Sequence, residues 1–372
     1  MKLRILIDCT FFNGIQDGLT VYTLNNLKAL IKLYPEEFDI KIVVNKNCIS
    51  KSQLEFLLTL NLTVLYSKIK PIGFLREFQF FFLSKKYSYD VVWSPSNFCP
   101  LFIRNAIYTI HDLTYLKIPN YGQKFYFIKK VYFRIIVFFG ILNSKKIICI
   151  SKFTLKELKT DFKWAHERCL SKFVVVYEGS HLDYSVMRDG TNFHKKNLLY
   201  VGSSRKHKNL FNLLLAFERV VELSSLNLIL VGNMQFLTSD DHLIIKRINR
   251  KCLRVSLIGY VSDGELVRLY GDSKALIFPS FYEGFGLPIL EAFTFKIPVL
   301  CSNLEPFIEI TNGEALFFDP HSVDAIATKI LELESMSVLD YNALSLKCTK
   351  RLSYFSWDFS AAELGRIFKT CN

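Results

Sequence analysis

The fold is decided by one stretch, Phe278-Pro279-Ser280-Phe281-Tyr282-Glu283-Gly284-Phe285-Gly286-Leu287-Pro288-Ile289-Leu290-Glu291-Ala292. The apolar run that ends at Phe278 predicts a buried strand, and the residues from Leu287 onward predict a helix with proline in its first turn. A glycine turn joins the two. A strand, a turn and a helix in this order are typical of a parallel α/β sheet.

This turn also has the properties of an anion site. The backbone N–H groups of Phe285, Gly286 and Leu287 would lie at the helix N-terminus, where they lack intrahelical acceptors and the helix dipole favours a phosphate. Gly284 and Gly286 would let that phosphate approach the backbone closely. The stretch therefore predicts a phosphate-binding turn.

Glu283 and Glu291 lie eight positions apart on either side of this turn, and their carboxylates suit the hydroxyls of a sugar nucleotide. The spacing resembles the E-x7-E signature of retaining glycosyltransferases of family 4, which have the GT-B fold. The resemblance implies that Glu291 holds the ribose hydroxyls and that Glu283 faces the transferred sugar. Two glutamates at a helix start could also be merely exposed, and a dinucleotide fingerprint is excluded because Ile289 stands at the third glycine position.

Length and composition favour a two-domain enzyme. The 372 residues exceed what one core normally supports, and half of them are hydrophobic, so disorder is not expected. The nine cysteines are scattered and form no C-x-x-C pair, which favours buried thiols in a reducing compartment. The apolar stretch at the N-terminus is too short for a signal peptide, so we expect a cytoplasmic protein.

The net charge of +13 is concentrated among aromatic residues in two segments, residues 66–86 and 124–146. The longest apolar run there, Ile135 to Leu142, is far shorter than the roughly 20 residues that span a bilayer. We therefore expect a peripheral contact with the inner face of the membrane. For the second segment, a buried helix with a solvated basic edge is an equal alternative. No nucleic-acid motif accompanies the charge, so no nucleic-acid partner is expected.

Short apolar runs alternate with helical patterns along the chain, which indicates parallel α/β sheets. Thirteen strands are predicted, at residues 3–8, 39–44, 62–66, 90–93, 106–110, 146–150, 173–176, 197–202, 226–232, 254–258, 274–278, 297–300 and 315–318. The polar interval 183–192 is the predicted linker. We expect a GT-B fold with two Rossmann-like doubly wound domains facing a central cleft. The predicted parts are an acceptor-side domain at 1–185, a nucleotide-sugar-binding domain at 186–354 and a helix at 355–372 that crosses back.

A second glycine turn, Gly202-Ser203-Ser204-Arg205-Lys206-His207-Lys208, follows another predicted strand and carries cations. Fixed cations stabilise the charge that develops on a diphosphate leaving group. The turn resembles the phosphate-binding loop of the same family, and Lys208 matches its lysine. Ser203 stands where many members have arginine, so either Arg205 or His207 would supply the second cation.

The first domain offers two further candidates. His111 ends a predicted strand in Tyr108-Thr109-Ile110-His111-Asp112, and it resembles the family's histidine that contacts the donor sugar. Gly18 begins Gly18-Leu19-Thr20-Val21-Tyr22, which resembles a loop that approaches the diphosphate. Thr20 and Val21 replace the second glycine and the arginine of that loop, so Gly18 alone is retained.

No metal or other cofactor is expected, because the chain has no Asp-x-Asp pair and no His/Cys ligand spacing. The resemblance implies a retaining transfer in which Glu283 orients the sugar and is not a general base. The interpretation is a family 4 transferase that moves a sugar to a lipid-linked bacterial surface glycan such as O antigen. The stretches His111 to Tyr115 and Pro279 to Pro288 resemble bacterial mannosyltransferases of O-antigen assembly, and this resemblance implies GDP-mannose as the leading donor. The alternatives are a UDP- or TDP-sugar-dependent transferase, a sugar-nucleotide epimerase and a non-catalytic GT-B subunit.

Overall fold

A computed structural model describes residues 2–14, 17–70, 73, 75–99, 101–103, 105–119, 126–182 and 192–371. The chain divides into two compact units. Unit 1 comprises Met1–Gly179 and Ser356–Asn372, and unit 2 comprises Ser180–Phe355. The predicted linker 183–192 lies outside the described residues except for Asn192.

Unit 1 contains a sheet of seven parallel strands in the order β3-β2-β1-β4-β5-β6-β7. The strands are β1 (Leu3–Cys9), β2 (Phe38–Asn45), β3 (Thr63–Ser67), β4 (Val91–Ser94), β5 (Ala106–Ile110), β6 (Lys146–Cys149) and β7 (Phe173–Val175). The central strands β4 and β5 are buried along their whole length. Both faces of a parallel sheet are covered, so such strands are apolar runs instead of alternating patterns.

The helices of unit 1 cover this sheet. They are α1 (Gly18–Leu33), α2 (Lys51–Thr59), α3 (Arg76–Ser84), α4 (Thr114–Lys117), α5 (Tyr126–Asn143), α6 (Lys152–Asp161), α7 (Lys163–Arg168) and, from the C-terminal segment, α15 (Trp357–Thr370). Helices α3 and α5 pack on one core through Phe80, Phe133 and Val137. Helix α15 packs on α1, where the Gly365 backbone lies against the Tyr34 ring.

Unit 2 contains a sheet of six parallel strands in the order β10-β9-β8-β11-β12-β13. The strands are β8 (Asn197–Val201), β9 (Asn227–Val231), β10 (Val255–Gly259), β11 (Ser273–Phe278), β12 (Val299–Ser302) and β13 (Leu316–Phe318). The helices are α8 (Leu210–Val220), α9 (Ser239–Cys252), α10 (Asp263–Gly271), α11 (Leu287–Thr294), α12 (Glu305–Thr311), α13 (Val323–Ser335) and α14 (Val338–Arg351). The apolar faces of α8, α9, α13 and α14 form one core with the strands.

All thirteen predicted strands are present, each shifted by no more than two residues at either end. Two other local expectations were wrong. The segment from Gly18 to Tyr22 is the first turn of α1 instead of a loop, because the Asp17 side chain accepts a hydrogen bond from the Thr20 N–H and caps the helix. Arg76, one of the cations of the segment 66–86 that was expected to contact the membrane, is buried and pairs with Asp8 and Glu77.

Within the described ranges, every helix is too short or too polar to cross a membrane. All nine cysteines are free thiols, and seven of them are buried. This agrees with their interpretation as core residues instead of a disulfide framework.

Candidate active site

The strand order of unit 2 reverses between β8 and β11, which are neighbours in the sheet but far apart in the chain. In open α/β sheets, ligands bind outside the carboxyl ends of the strands at such a switch point. The two glycine turns predicted from the sequence follow β8 and β11. The topology therefore brings both predicted phosphate turns to one edge of one sheet.

The turn after β8 is built on close backbone contacts. Gly202 donates its N–H to the Val231 carbonyl at 2.9 Å. A Cβ added at Gly232 would lie 2.1 Å from the Gly202 carbonyl oxygen, and Gly232 has a φ of +118°. Glycine is therefore required at position 232, because it adopts this φ without strain and leaves room for the Gly202 carbonyl. Ser203 adds no charge here, and its carbonyl accepts the Tyr200 hydroxyl at 2.7 Å.

Lys208 and Glu283 meet across the two turns. The Lys208 Nζ lies 2.6 Å from the Glu283 Oε1, and the two side chains are 19% and 15% exposed. The same carboxylate oxygen accepts the Ser280 hydroxyl at 2.7 Å. An ammonium group has three N–H donors, so Lys208 can contact a phosphate oxygen while it keeps Glu283.

Two interactions fix the lysine turn to the glutamate turn. Phe281 donates its N–H to the His207 carbonyl at 2.7 Å. The Asn209 amide donates to the carbonyls of Pro279 at 2.9 Å and Pro320 at 2.8 Å. Asn209 can do so because it adopts a left-handed conformation with a φ of 58°, which Asn tolerates better than most residues. Lys208 and Glu283 are thus held by their backbones as well as by each other.

The structure separates the two candidates for the second cation. Burial, with the positive charges of Lys208 and Arg205, lowers the pKa of His207 to about 3, so His207 is neutral near pH 7. In the protein without a bound anion, this lowered pKa favours Arg205 over His207 as the second cation, and the assignment stays a prediction. The Arg205 guanidinium lies 5.0 Å from the centroid of the Phe236 ring.

The turn after β11 leads into α11 as predicted, with Pro288 in the first turn. Phe285 is buried, and a Cβ at Gly286 would lie 3.2 Å from both the Phe307 ring and the Ile289 side chain. Gly286 accepts the Ile289 N–H at 2.9 Å. Leu287 is the first residue of the helix, so its N–H has no intrahelical acceptor. The geometry allows this turn, with Gly284, to receive an anion.

Glu291 is buried one turn into α11, and two side chains flank its carboxyl group. The Tyr270 hydroxyl donates to Oε2 at 2.6 Å, and the His181 Nδ1 lies 3.5 Å from Oε1. Burial raises the pKa of the Glu291 carboxyl, although His181 and Tyr270 partly offset it. The sequence reasoning missed both partners, because nothing in the local pattern around either residue indicates that it meets Glu291.

In unit 1, His111 follows β5, and its side chain is almost fully buried. The Nε2 atom lies 3.0 Å from the Pro95 carbonyl, which can only accept, so Nε2 carries a proton. The Nδ1 atom faces Glu178 at 3.5 Å, and the ring makes an edge contact with Tyr22 at 4.7 Å. Burial raises the pKa of Glu178, although His111 partly offsets it. The sequence did not indicate this pair.

Gly18 lies at the first position of α1 in unit 1, where the helix N-terminus presents backbone N–H groups. Within the described part of the chain, no group of three or more His, Cys, Asp or Glu side chains is placed to hold a metal ion. The site roles assigned from the sequence to Gly18 and His111 stay predictions.

The sequence model described as Glycosyl transferases group 1 matches residues 187–348. The chain is 28% identical over 299 residues to the O-antigen chain mannosyltransferase B of Escherichia coli, with 77% of this chain and 75% of that protein covered. It is also 28% identical to the O-antigen chain mannosyltransferase RfbU of Salmonella typhimurium, with 63% of this chain and 62% of that protein covered. The chain thus spans less than two thirds of the length of the second relative.

Solved structures agree on the architecture. Anabaena HepE in complex with UDP and glucose superimposes with a TM-score of 0.75 and 16% identity, covering 99% of this chain and all of that one. The lipopolysaccharide-biosynthesis glycosyltransferase WaaG superimposes with a TM-score of 0.70 and 13% identity, covering 98% and 99%. The chain is thus a glycosyltransferase of GT-B fold, similar over residues 187–348 to the group 1 glycosyl transferases and similar to O-antigen mannosyltransferases of other bacteria.

Proposed function

We propose that this glycosyltransferase moves mannose from GDP-mannose to a growing, lipid-linked glycan of the O-antigen type, with retention of the anomeric configuration. The pair of Lys208 and Glu283 at the switch point of unit 2 carries the proposal, because it places a cation and a carboxylate beside two glycine turns. Mannose is favoured by the names of the two relatives.

In this mechanism the protein positions the donor sugar and stabilises the negative charge of the leaving diphosphate. Lys208, Arg205 and the N-terminus of α11 stabilise the negative charge that grows on the departing diphosphate. Glu283 orients the sugar while the acceptor oxygen bonds the anomeric carbon on the face from which the nucleotide leaves. The bond between the sugar and the phosphate oxygen breaks in the same step, and the proton of the acceptor hydroxyl passes to that departing oxygen. Lys208, Arg205 and Glu283 together carry a net charge of +1 before the donor binds, which favours an anionic ligand. No metal takes part in this proposal.

We also propose that unit 1 rests on the cytoplasmic face of an anionic membrane. The exposed residues Phe127, Val131, Ile135 and Phe139 recur every four positions along α5 and therefore form one stripe. Helix α5 contains no acidic residue. An apolar stripe on a basic helix is typical of membrane-surface contact.

Unit 1 has a second group of exposed aromatic residues, on α3 and at Phe102. Phe78 and Phe82 of α3 are 52% and 64% exposed, and Phe102 lies 4.8 Å from the Phe78 ring. Helix α3 is followed by the exposed cations Lys85 and Lys86. Because α3 and α5 pack on the same core, we infer that these exposed residues extend the apolar and basic surface of α5.

The donor is tested first by thermal shift against GDP, UDP, TDP, ADP and their common sugar conjugates, because a ligand that prefers the native state raises Tm. We expect selective shifts with GDP and GDP-mannose. A selective response to UDP or TDP would keep the enzyme class and change the donor. No response to any nucleotide would favour a non-catalytic GT-B subunit.

The membrane surface is tested by vesicle flotation with neutral and anionic lipid. We expect binding to anionic vesicles that weakens as salt rises. Phe127→Ser should weaken it, whereas Phe211→Ser, which also removes an exposed ring but from α8 of unit 2, should not. Equal binding to neutral and anionic vesicles, or equal effects of the two variants, would contradict this surface.

A further inference from the structure

Unit 1 has an open groove of about 820 Å³ at the edge of its sheet where β5, β6 and β7 begin. Three lysines line this groove. Lys145 precedes β6, Lys146 begins it, and Lys172 precedes β7. Among the residues that the structure describes, no acidic side chain lines the groove. It is therefore a cationic site, and the proposed reaction does not use it.

Backbone carbonyls hold the three lysines in place. Each ammonium group donates to one of them, Lys145 to Cys371 at 2.5 Å, Lys146 to Ser171 at 2.8 Å and Lys172 to Leu142 at 2.6 Å. A carbonyl is neutral, so it orients an ammonium group without cancelling its charge. An ammonium group has three N–H donors, so each lysine keeps a donor for a ligand. The lysines are thus placed for an anion before it binds.

The charges of Lys145 and Lys146 also act on one common point. Burial raises the pKa of the Cys371 thiol, and both ammonium groups partly offset this rise. Neighbouring residues of a strand point to opposite faces, so two adjacent lysines do not normally meet in this way. Their positive charges therefore add up within the groove.

The groove is separate from the part of unit 1 that carries His111. Strand β5 runs from Ala106 at the groove to Ile110, and His111 follows at its other end. Five residues of an extended strand span about 17 Å. An anion in the groove would thus lie at the opposite edge of the sheet from His111, which makes the groove a second site of unit 1.

Apolar side chains adjoin the lysines. Leu101, Phe102 and Leu142 line the same groove, and the exposed Phe102 ring lies 4.8 Å from the ring of Phe78 on α3. Phe102 therefore joins the groove to the exposed aromatic residues that are proposed to contact the membrane. A lipid has a phosphate beside acyl chains and matches this lining, whereas a free phosphate would leave Phe102 uncovered.

We propose that this groove binds a membrane lipid with a phosphomonoester headgroup, whose phosphate is held by Lys145, Lys146 and Lys172. A phosphomonoester carries a charge of about −1.5 to −2 at pH 7 and has three free oxygens. A phosphodiester headgroup has one negative charge and two free oxygens, so three fixed cations favour the monoester. The inference rests on the proposed membrane contact of unit 1 and adds selectivity for one class of lipid.

The test is flotation of the whole protein with phosphatidylcholine vesicles that contain either phosphatidic acid or phosphatidylglycerol. The two vesicle types are matched in surface potential, so that nonspecific attraction is equal. We expect about tenfold tighter binding to phosphatidic acid, as for one additional charge-assisted hydrogen bond. The double variant Lys145→Gln/Lys146→Gln should lose this preference.

Lys85→Gln/Lys86→Gln is the matched control, because it removes the same charge from exposed lysines that follow α3. It should weaken binding to both vesicle types alike and keep the preference for phosphatidic acid. Circular dichroism and Tm show whether each variant is folded. A groove in which the lysines only bind carbonyls would give a lower Tm for Lys145→Gln/Lys146→Gln and an unchanged preference, which would contradict the proposal.

Calorimetry separates a lipid from a soluble phosphate compound. Short-chain phosphatidic acid below its micelle concentration should bind the protein about tenfold more tightly than glycerol 3-phosphate, since only the lipid covers Phe102. Equal affinity for the two would assign the groove to a soluble phosphate and overturn the lipid.

Two further results would refute the inference, and they differ in meaning. If the wild type bound both vesicle types equally, the groove would not select a headgroup, while the membrane contact of unit 1 would stand. If it bound neither, both the membrane contact and this inference would be refuted. The nucleotide thermal shifts are independent of either result.

Discussion

Lys208 and Glu283 are separated by 75 positions, yet their charged groups lie 2.6 Å apart. Lys208→Met should lower kcat/KM about 100-fold, because a fixed cation at the leaving group stabilises the transition state. It should also lower the free energy of unfolding by roughly 1–3 kcal/mol, since Glu283 loses its partner in a partly buried site. Steady-state kinetics and urea unfolding measure the two effects.

Lys206→Met is the matched control, because Lys206 belongs to the same turn but is exposed. This control should stay close to the wild type in both measurements. The double variant Lys208→Met/Glu283→Gln should recover stability without recovering activity. Normal activity of the Lys208→Met variant would exclude Lys208 from the reaction.

Glu178 gives a prediction about pH. Its pKa is raised above the ordinary value of 4.5, chiefly by burial. The folded state therefore holds this proton more tightly than the unfolded state. The contribution of Glu178 is fully present below pH 4.5 and is lost as the pH rises through the raised pKa. The free energy of unfolding of the wild type, relative to Glu178→Gln, should decrease from pH 4 to pH 7.

An exposed carboxyl supplies the control of opposite sign. The pKa of Glu265 is lowered by hydrogen bonds from the Ser262 backbone and side chain. The wild type, relative to Glu265→Gln, should therefore lose stability as the pH falls below the ordinary value. A pH-independent difference for Glu178→Gln would show that the Glu178 carboxyl does not titrate differently on folding.

The turns that carry Glu283 and Lys208 could be predicted from the sequence, because the strand and the helix beside each turn have strong local patterns. Their mutual contact follows from the strand order, which no local pattern contains. The same limit explains His181, Tyr270 and Glu178, whose partners lie on other elements. Arg76 was misjudged for a related reason, since a buried arginine is recognisable only through its carboxylate partners.

At the scale of elements, the strands were predictable because parallel strands buried on both faces are short, continuous apolar runs. Strand ends were less accurate, since they depend on pairing with neighbours. The start of α1 was misread because the similarity to a glycine loop outweighed the capping signal of Asp17. Helix starts with a capping box, such as Ser262 with Glu265, are visible in the sequence.

The turn after β9 gives a prediction for a single element. Gly232→Ala would place a methyl group against the Gly202 carbonyl in a backbone conformation that disfavours alanine. We expect a loss of at least about 2 kcal/mol in the free energy of unfolding and weaker nucleotide binding, because the Gly202 turn must move. Urea unfolding and calorimetry measure these effects.

Gly264→Ala is the control, since a Cβ at this helical position would meet nothing within 4 Å. It should stabilise the protein by roughly 0.5–1 kcal/mol, as alanine favours a helix over glycine. Equal stability of the two variants would show that the Gly202 and Gly232 contact is not tight.

At the scale of the whole molecule, the two sheets have separate cores and separate strand orders. The alternation of strands and helices predicted two α/β sheets. This alternation does not show which unit the C-terminal segment joins, and the crossing back of residues 355–372 was expected only from the family resemblance. The segment belongs to unit 1, where the Gly365 backbone of α15 packs against Tyr34.

The path of the chain has a consequence for engineering. A Cβ at Gly179, where the chain leaves unit 1, would lie 2.5 Å from the backbone nitrogen of Trp357, near the point of return at Ser356. Unit 2 is therefore an insertion into unit 1, between two positions of unit 1 that lie close together. A gene in which a short Gly-Ser linker replaces residues 180–355 should yield a folded unit 1. Unit 2 expressed by itself, as residues 180–355, should keep nucleotide binding. Circular dichroism and calorimetry on the two products would reveal whether donor binding and membrane contact can be exchanged between such enzymes as separate modules.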